Sequence, residues 1–339
     1  MSPPPFRRLS ALLAAAALLA ASLCSPVGAQ AQGSYPNRTI TVIAPYSAGG
    51  DADLAGRNFA AAAQRVLGQA VVVINRTGAS GVIGSAQVVA AAPDGYTLLL
   101  ARTGSQAILP AIQPTSTKYK WDDYTFIGML ELNPYGCTVG AKSPYRKFDD
   151  LAQAIRSKGK TLNFGTAGIL TTNDMGPRQL FRLLKISTEQ TPTQIPYKGT
   201  GEATLSLIAG ETEFACGSMG PFISHIKAGT LRALMVTTAE RMPELPEVPT
   251  ARELGYAEME KIVGWSAVFG PPKLPAEVRD RLAAVLRTIA TDPAWLAGTA
   301  QTGSLPYVKS AEETRDFTQG QYQLYRQLGE QMGIIDGKL

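Results

Sequence analysis

Along the chain, short continuous apolar runs alternate with longer stretches in which apolar residues recur every three or four positions. "TITVIA", β-branched and set between Asn37 and Pro45, predicts a buried strand. Across residues 53–67, Leu54, Phe59, Ala62 and Val66 share one side and Gly68 follows, which predicts a helix and its stop. "AVVVIN" is a second strand, residues 83–91 a second helix ended before the turn "PDG", and "YTLLLA" a third strand. Strand–helix–strand units of this length imply parallel pairing through right-handed crossovers. The alternation continues through strands "GCTVGA", "LNFG", "TQIPY", "EFACG" and "LRALMVT", with helices over residues 148–155, 173–184 and 201–208 and a short one in "FISHIKAG". "ELPEVPT" is a Pro-broken surface loop. "IVGWSAVFG" is a strand, and "PPKLPAEVRDRLAAVLRTIA" holds a helix with Pro275 in its first turn and Val278, Leu282, Val285 and Ile289 on one face. A last helix covers residues 311–332. The outcome is an α/β protein with open sheets covered by helices. The β-rich stretches around "TFIGMLELNPYGCTVGA" and "VGWSAVFG" are the candidate crossings of a two-lobed, hinged molecule.

The first thirty residues do not belong to this pattern. Arg7 and Arg8 precede "LSALLAAAALLAASL" and the small-residue exit up to Ala29, the layout of a secretory signal peptide over residues 1–29, with cleavage after Ala31 as the second choice. Leu23 stands before Cys24 where lipoprotein processing wants a small residue, so Cys24 is expected to leave with the peptide. Roughly 310 residues then remain, more than one core usually holds, and two lobes are the default. Without Arg7 and Arg8 the formal net charge falls from +5 to +3, with the charges scattered rather than gathered into the dense basic stripe that nucleic acid requires. No later segment is apolar enough to span a bilayer, so the mature chain is expected to be exported and not inserted in a membrane. Cys137 and Cys216 could form a bridge in an oxidising compartment or remain two separate buried thiols.

Ligands of open parallel sheets lie beyond the carboxyl ends of the strands. Four loops leave a strand there and enter a helix: "PYSAGGDAD", "RTGSQA", "GTAGILTTND" and "PYKGTGEA". Their Gly, Ser and Thr residues let backbone N–H groups and hydroxyls face a ligand closely, and helix starts favour carboxylate or phosphate. Gly49 and Gly50 can serve that purpose or form an ordinary turn, and Asp53 can be a helix N-cap and nothing more. Arg102, just after "YTLLLA", is either a bidentate clamp on a carboxylate or a solvated side chain at the cleft rim. Tyr197 and Lys198 can line the cleft, or Tyr197 can fill a strand end, and Trp265 stands at the hinge or in the core. Catalytic sets are weak. His225 is the lone histidine, no G-x-S-x-G elbow or P-loop occurs, and neither H-E-x-x-H nor C-x-x-C is present to hold zinc. The residues therefore describe a binder that needs no metal and no cofactor.

The stretches "YPNRTITVIAPYSAGGDADLAGR", "LGQAVVVINRTGASGVIGSAQVVAAAPDGYTLLL", "LNFGTAG", "IPYKGTGEA", "HIKAGTLRALMVTTAERMPELPEVPTARELGY" and "VFGPPKLP" follow one another as in the Bug-type receptors of bacterial tripartite tricarboxylate transporters, which the chain resembles from end to end. The resemblance implies a periplasmic-binding-protein type II-like fold, two α/β lobes closing like a Venus flytrap, here residues 34–131 plus 264–339 and residues 132–263. It implies a periplasmic receptor for a small organic acid that serves a membrane permease. It places the carboxylate against Tyr46, Ser47, Ala48, Gly49, Gly50, Asp51 and Asp53, partly through water. Thr103, Ser105 and Gln106 stand near it, and Thr166, Ala167, Gly168, Thr171 and Thr172 face it from the other lobe.

Departures from the family pattern fall in the loops. Asp51, Ala52 and Asp53 follow the two glycines where G-G-G-T-D is frequent, and Arg102 replaces a small residue. Gln106 and Asn173 stand at two places where histidine is common, and Gly217 and Ser218 where Asp and Asn are common. A hydroxyl is lost and a negative charge gained beside the expected pocket. Two rival classes stay open: an exported hydrolase using Ser47 or Ser218, and a ligand-sensing adaptor docked on a membrane sensor kinase.

Overall fold

The computed structural model describes residues 35–335; the expected signal peptide and Cys24 lie outside the described residues. From Arg38 the chain forms one unit with two sheets. The first contains β1 (Ile40–Ala44), β2 (Val71–Asn75), β3 (Thr97–Arg102), β4 (Thr125–Asn133), β10 (Gly264–Gly270) and β11 (Leu305–Lys309), in the order β11-β4-β10-β3-β1-β2. The second contains β5 (Tyr135–Gly140), β6 (Asn163–Thr166), β7 (Thr193–Pro196), β8 (Phe214–Ser218) and β9 (Leu231–Val236), in the order β7-β6-β8-β5-β9. The pairings β1–β2, β1–β3, β6–β7 and β6–β8 are parallel, as the alternation implies. β10 runs antiparallel between β3 and β4, and β5 antiparallel between β8 and β9, so both sheets are mixed. The cause is the path of the chain. Only Pro134 separates β4 from β5, and residues 237–263 carry the chain back from β9 to β10. A strand arriving from the other sheet starts where the parallel strands end, and so runs against them.

Ten helices are described: α1 (Asp51–Leu67), α2 (Val82–Val89), α3 (Leu109–Ile112), α4 (Phe148–Lys158), α5 (Thr172–Leu183), α6 (Thr200–Ala209), α7 (Gly220–Lys227), α8 (Ala276–Ile289), α9 (Pro293–Gln301) and α10 (Ala311–Met332). In α1, Ala52, Ala55, Phe59, Ala62 and Ala63 are buried and Arg57 is exposed; Gly68, at φ +67, returns its N–H to Gln64. α10 begins with the capping box of Ser310 and Glu313 and packs on β4 and on the helical stretch before and through α3. The sequence pattern did not separate α9 and β11, although Asp292, whose carboxylate caps Ala294 N–H, stands directly before Pro293.

One apolar cluster runs from Ile43 and Leu99 through Trp265 to Phe164 and Phe214, so both sheets share a core. Trp265 is fully buried, against Phe269 and edge-on to Phe317; of its two readings the core one holds. Cys137 and Cys216 face each other in register across β5 and β8 and are joined in a disulfide, with Cα atoms 4.0 Å apart. The alternative of two free thiols falls.

Candidate ligand site

The carboxyl ends of β1 and β3 meet the loops after β6 and β7 around a cavity of about 20 Å³, room for about one water. Tyr46, Asp51, Ala52, Arg102, Thr103 and Gly104 line it from the first sheet's side, and Ala167, Thr171, Thr172, Asn173 and Thr200 from the second's. A second depression of about 370 Å³ shares Ala167 with it and includes Ser80, Gly168, Tyr197 and Lys198.

The two glycines after "PYSA" serve two ends. Gly49 takes φ +74, open to glycine at no cost, and its N–H donates to Asp53 Oδ2 at 3.0 Å. Gly50 is the N-cap of α1 and packs against the backbone of Thr200 and Gly201. The loop before α6 answers with glycines of its own. A Cβ on Gly201 would collide with the Ala48 carbonyl, and one on Gly199 with Ser47. Ser47 N–H donates to the Lys198 carbonyl at 3.3 Å across this seam. The helix thus starts two residues before the expected 53, and Asp53 is not its N-cap. Asp53 is bound by Gly49 and by Arg57 at 3.0 Å. Burial alone would raise its pKa, but the hydrogen bonds from Arg57 and Gly49 and the Arg57 charge outweigh it and hold the carboxyl below its usual range.

Arg102 is not a solvated rim residue. It is the last residue of β3 and 6 % exposed. Arg102, Ser266 and Glu131 lie in register on β3, β10 and β4, and so share one sheet face. Arg102 Nη1 donates to Asn133 Oδ1 at 2.6 Å and to Ser266 Oγ, while Nη2 stands 3.7 Å from Asp51 Oδ2. Glu131 Oε1 accepts from Asn133 Nδ2 at 2.9 Å and from Ser266 Oγ at 3.1 Å. One guanidinium therefore serves two buried acids. Burial raises the pKa of Asp51 and of Glu131, and the Arg102 charge opposes this in both. Asp51 Oδ2 also accepts from Thr200 Oγ1 at 3.0 Å, across the cavity, while Asp51 Oδ1 has no partner. Glu131, Asn133 and Ser266 were not among the expected site residues. Their signal was there: polar side chains inside the otherwise apolar "TFIGMLELN" and "GWSAVFG".

Several expected residues face elsewhere. The chain after β3 makes a π-helical turn over Gly104–Ile108, a form frequent at functional sites. It rotates Ser105 and Gln106 inward. Ser105 Oγ donates to Gln106 Oε1 at 2.6 Å, which also accepts from Arg102 N–H, and Gln106 Nε2 donates to Ser85. Thr103 Oγ1 instead accepts from Trp265 N–H at 3.0 Å. Thr166 Oγ1 is held by Gln194. Gly168 (φ +115) and Tyr197, whose hydroxyl meets Ser206, lie in the outer depression. Gly217 makes room for Asn173, because a Cβ there would collide with its amide.

α5 presents its start to the cavity. Thr171 is its N-cap without a side-chain cap, its hydroxyl donating back to Gly168, and Asp174 takes Leu170 N–H at 2.8 Å. Asn173, 2 % exposed, carries an Nδ2 without a partner. Tyr46 closes another wall, its hydroxyl donating to the Ser80 carbonyl at 2.9 Å and its pKa pushed up to about 12 by burial. The hydroxyls of Ser47 and Ser218 have no hydrogen-bond partner that could act as a base. Among the described residues no group of three His, Cys, Asp or Glu could hold a metal, and no helix is long and apolar enough to cross a membrane.

The arrangement matches known proteins. The family described as the tripartite tricarboxylate transporter family receptor matches residues 55–334. A UPF0065 protein of Agrobacterium vitis, in the TAR-I ttuE-ttuC' intergenic region, is 36 % identical over 292 residues, 86 % of this chain and 82 % of that one. The structure of the periplasmic binding protein BugD superposes with a TM-score of 0.84 at 27 % identity, covering 89 % of this chain and 99 % of that one. MatC from Rhodopseudomonas palustris, with bound malate, gives 0.81 at 26 % identity, covering 87 % and 100 %. The fold is thus the type II-like, two-lobed α/β fold of periplasmic binding proteins, and the chain belongs to the Bug-type receptors of the tripartite tricarboxylate transporter family.

Proposed function

We propose that the protein is a periplasmic receptor that captures a small carboxylate, without chemical change, and delivers it to the membrane permease of a tripartite transporter. The reading is carried by one observation: the start of α5 and the loop before α1, from different sheets, line the same buried cavity. A 12-residue helix directs free N–H groups and partial positive charge at that point. The malate held by MatC supports the ligand class, and the apolar run before Ala29 supports export. Residues 34–131 with 264–339 act as one lobe and residues 132–263 as the other, bending at Pro134 and again before Gly264. The site is Tyr46, Asp51, Arg102, Thr103, Thr171, Thr172, Asn173 and Thr200. A cavity of about 20 Å³ is smaller than any dicarboxylate, so the seam between Gly50 and Gly201 must part to admit one and shut over it. Thermal melting and calorimetry against a carboxylate panel test the reading. A ligand at a hundred times its Kd adds about 2.7 kcal/mol of stability. A panel that leaves the melting temperature unmoved at millimolar concentration would overturn it.

A further inference from the structure

Resting on that reading, we infer that the ligand is a zwitterion of the α-amino acid type, with its ammonium group received by Asp51 and its carboxylate by the start of α5. Among the described residues lining the cavity, the charged ones are Asp51 and Arg102. Arg102 brings no free positive charge. Its guanidinium is already engaged by Asn133 and Ser266, faces Asp51 at 3.7 Å, and has Glu131 behind those two hydrogen-bond partners. A plain dicarboxylate would set like charge against Asp51 with no unmatched cation at hand, which raises its free energy in a buried site. The two unpartnered atoms that face this point are complementary instead. Asp51 Oδ1 is an acceptor awaiting a donor, and Asn173 Nδ2 a donor awaiting an acceptor. Both residues are at least nine-tenths buried and line the same small cavity. A ligand that satisfies both must carry a donor and an acceptor a few ångströms apart, as the ammonium and carboxylate on one carbon do. The free N–H groups of the first turn of α5 add further donors for the carboxylate.

Four pairs of compounds that differ only in the α-ammonium isolate this feature: alanine and propionate, aspartate and succinate, glutamate and glutarate, phenylalanine and 3-phenylpropionate. Each is titrated by calorimetry into the wild-type protein and into Asp51→Asn, whose folding is verified by circular dichroism. In the wild type, within any pair that binds, the amino acid is expected to bind about ten- to a hundred-fold tighter, the range of a charged hydrogen bond. In Asp51→Asn that preference is expected to vanish while the deaminated acid binds as well as before or better. Tighter or equal binding of the deaminated acids to the wild type overturns the inference and leaves the carboxylate receptor standing. A preference that survives in Asp51→Asn overturns the assignment to Asp51. Binding of no member of any pair overturns the inference together with the receptor reading.

Discussion

Arg102 Nη2 stands 3.7 Å from Asp51 Oδ2, and each side chain is 7 % exposed. The pair joins the end of β3 to the first turn of α1, and Glu131 shares the same cation through Asn133 and Ser266. Removing one member of a buried ion pair strands the other charge, which is costlier than the pair itself is stabilising. Arg102→Ala is therefore expected to lower the unfolding free energy by about 3–5 kcal/mol, read by urea denaturation. Arg102→Ala combined with Asp51→Asn should recover a large part of that loss, because the stranded carboxylate goes too. Purely additive losses would show that the two side chains are not coupled.

Glu131 gives the pH dependence. Its folded-state pKa is raised, chiefly by burial, above the value it has in the unfolded chain. At a pH below both values the acid is protonated in both states and carries no penalty. As pH rises through the window between them, the unfolded chain ionises first and stability falls, by up to about 1.4 kcal/mol per pH unit for one group. Glu131→Gln keeps the Oε1 that accepts from Asn133 and Ser266 but cannot ionise. The variant is expected to melt at or above the wild type at pH 8, with the difference shrinking to nothing below pH 4. Melting curves across that range check it; a variant less stable than the wild type at pH 8 would mean that the charge of Glu131 stabilises the fold.

Local signals in the chain make most of the fold legible. The span 311–332 matches α10 because Ser310, Glu313 and Gly333 mark its ends chemically. The parallel units follow from alternation, since β1, β2 and β3 are short apolar runs separated by one helix each. β10 and β5, which run against their neighbours, cannot be placed that way, because their direction depends on a crossing between sheets. The site is legible to the level of its loops. Residues 46–51, 102–103 and 171–172 do converge, but which side chains face the cavity depends on turns set by tertiary packing. The π-helical turn at Gly104–Ile108 takes Ser105 and Gln106 out of it. The burial of Arg102 is hidden for a related reason: Asn133 and Ser266 lie 31 and 164 positions away.

The Cys137–Cys216 bridge closes a loop of 79 residues between β5 and β8. A cross-link over that span removes conformational freedom from the unfolded chain, and bridges of this kind contribute about 2–4 kcal/mol. Replacing both cysteines by alanine should lower the urea midpoint accordingly. Dithiothreitol should lower the midpoint of the wild type toward that of the double variant and leave the double variant unchanged. A wild type indifferent to the reductant under denaturing conditions would refute a stabilising bridge.

The seam of glycines sets the last prediction. Gly201 is the second residue of α6, in a backbone conformation that alanine accepts, and its would-be Cβ meets the Ala48 carbonyl and the backbone of Gly49 and Gly50. Those are backbone atoms of another loop, so the clash is relieved only by moving the loops apart. Alanine also favours a helix over glycine, by up to about 1 kcal/mol. Gly201→Ala should thus leave α6 intact and hold the cleft ajar. Forced overpacking costs about 1–3 kcal/mol, and that penalty falls on the closed, ligand-holding state. Affinity for whichever carboxylate the wild type binds is expected to drop about five- to a hundred-fold, while the radius of gyration of the loaded protein in small-angle scattering exceeds that of the loaded wild type. Unchanged affinity with an unchanged radius would mean that Gly50 and Gly201 do not govern closure.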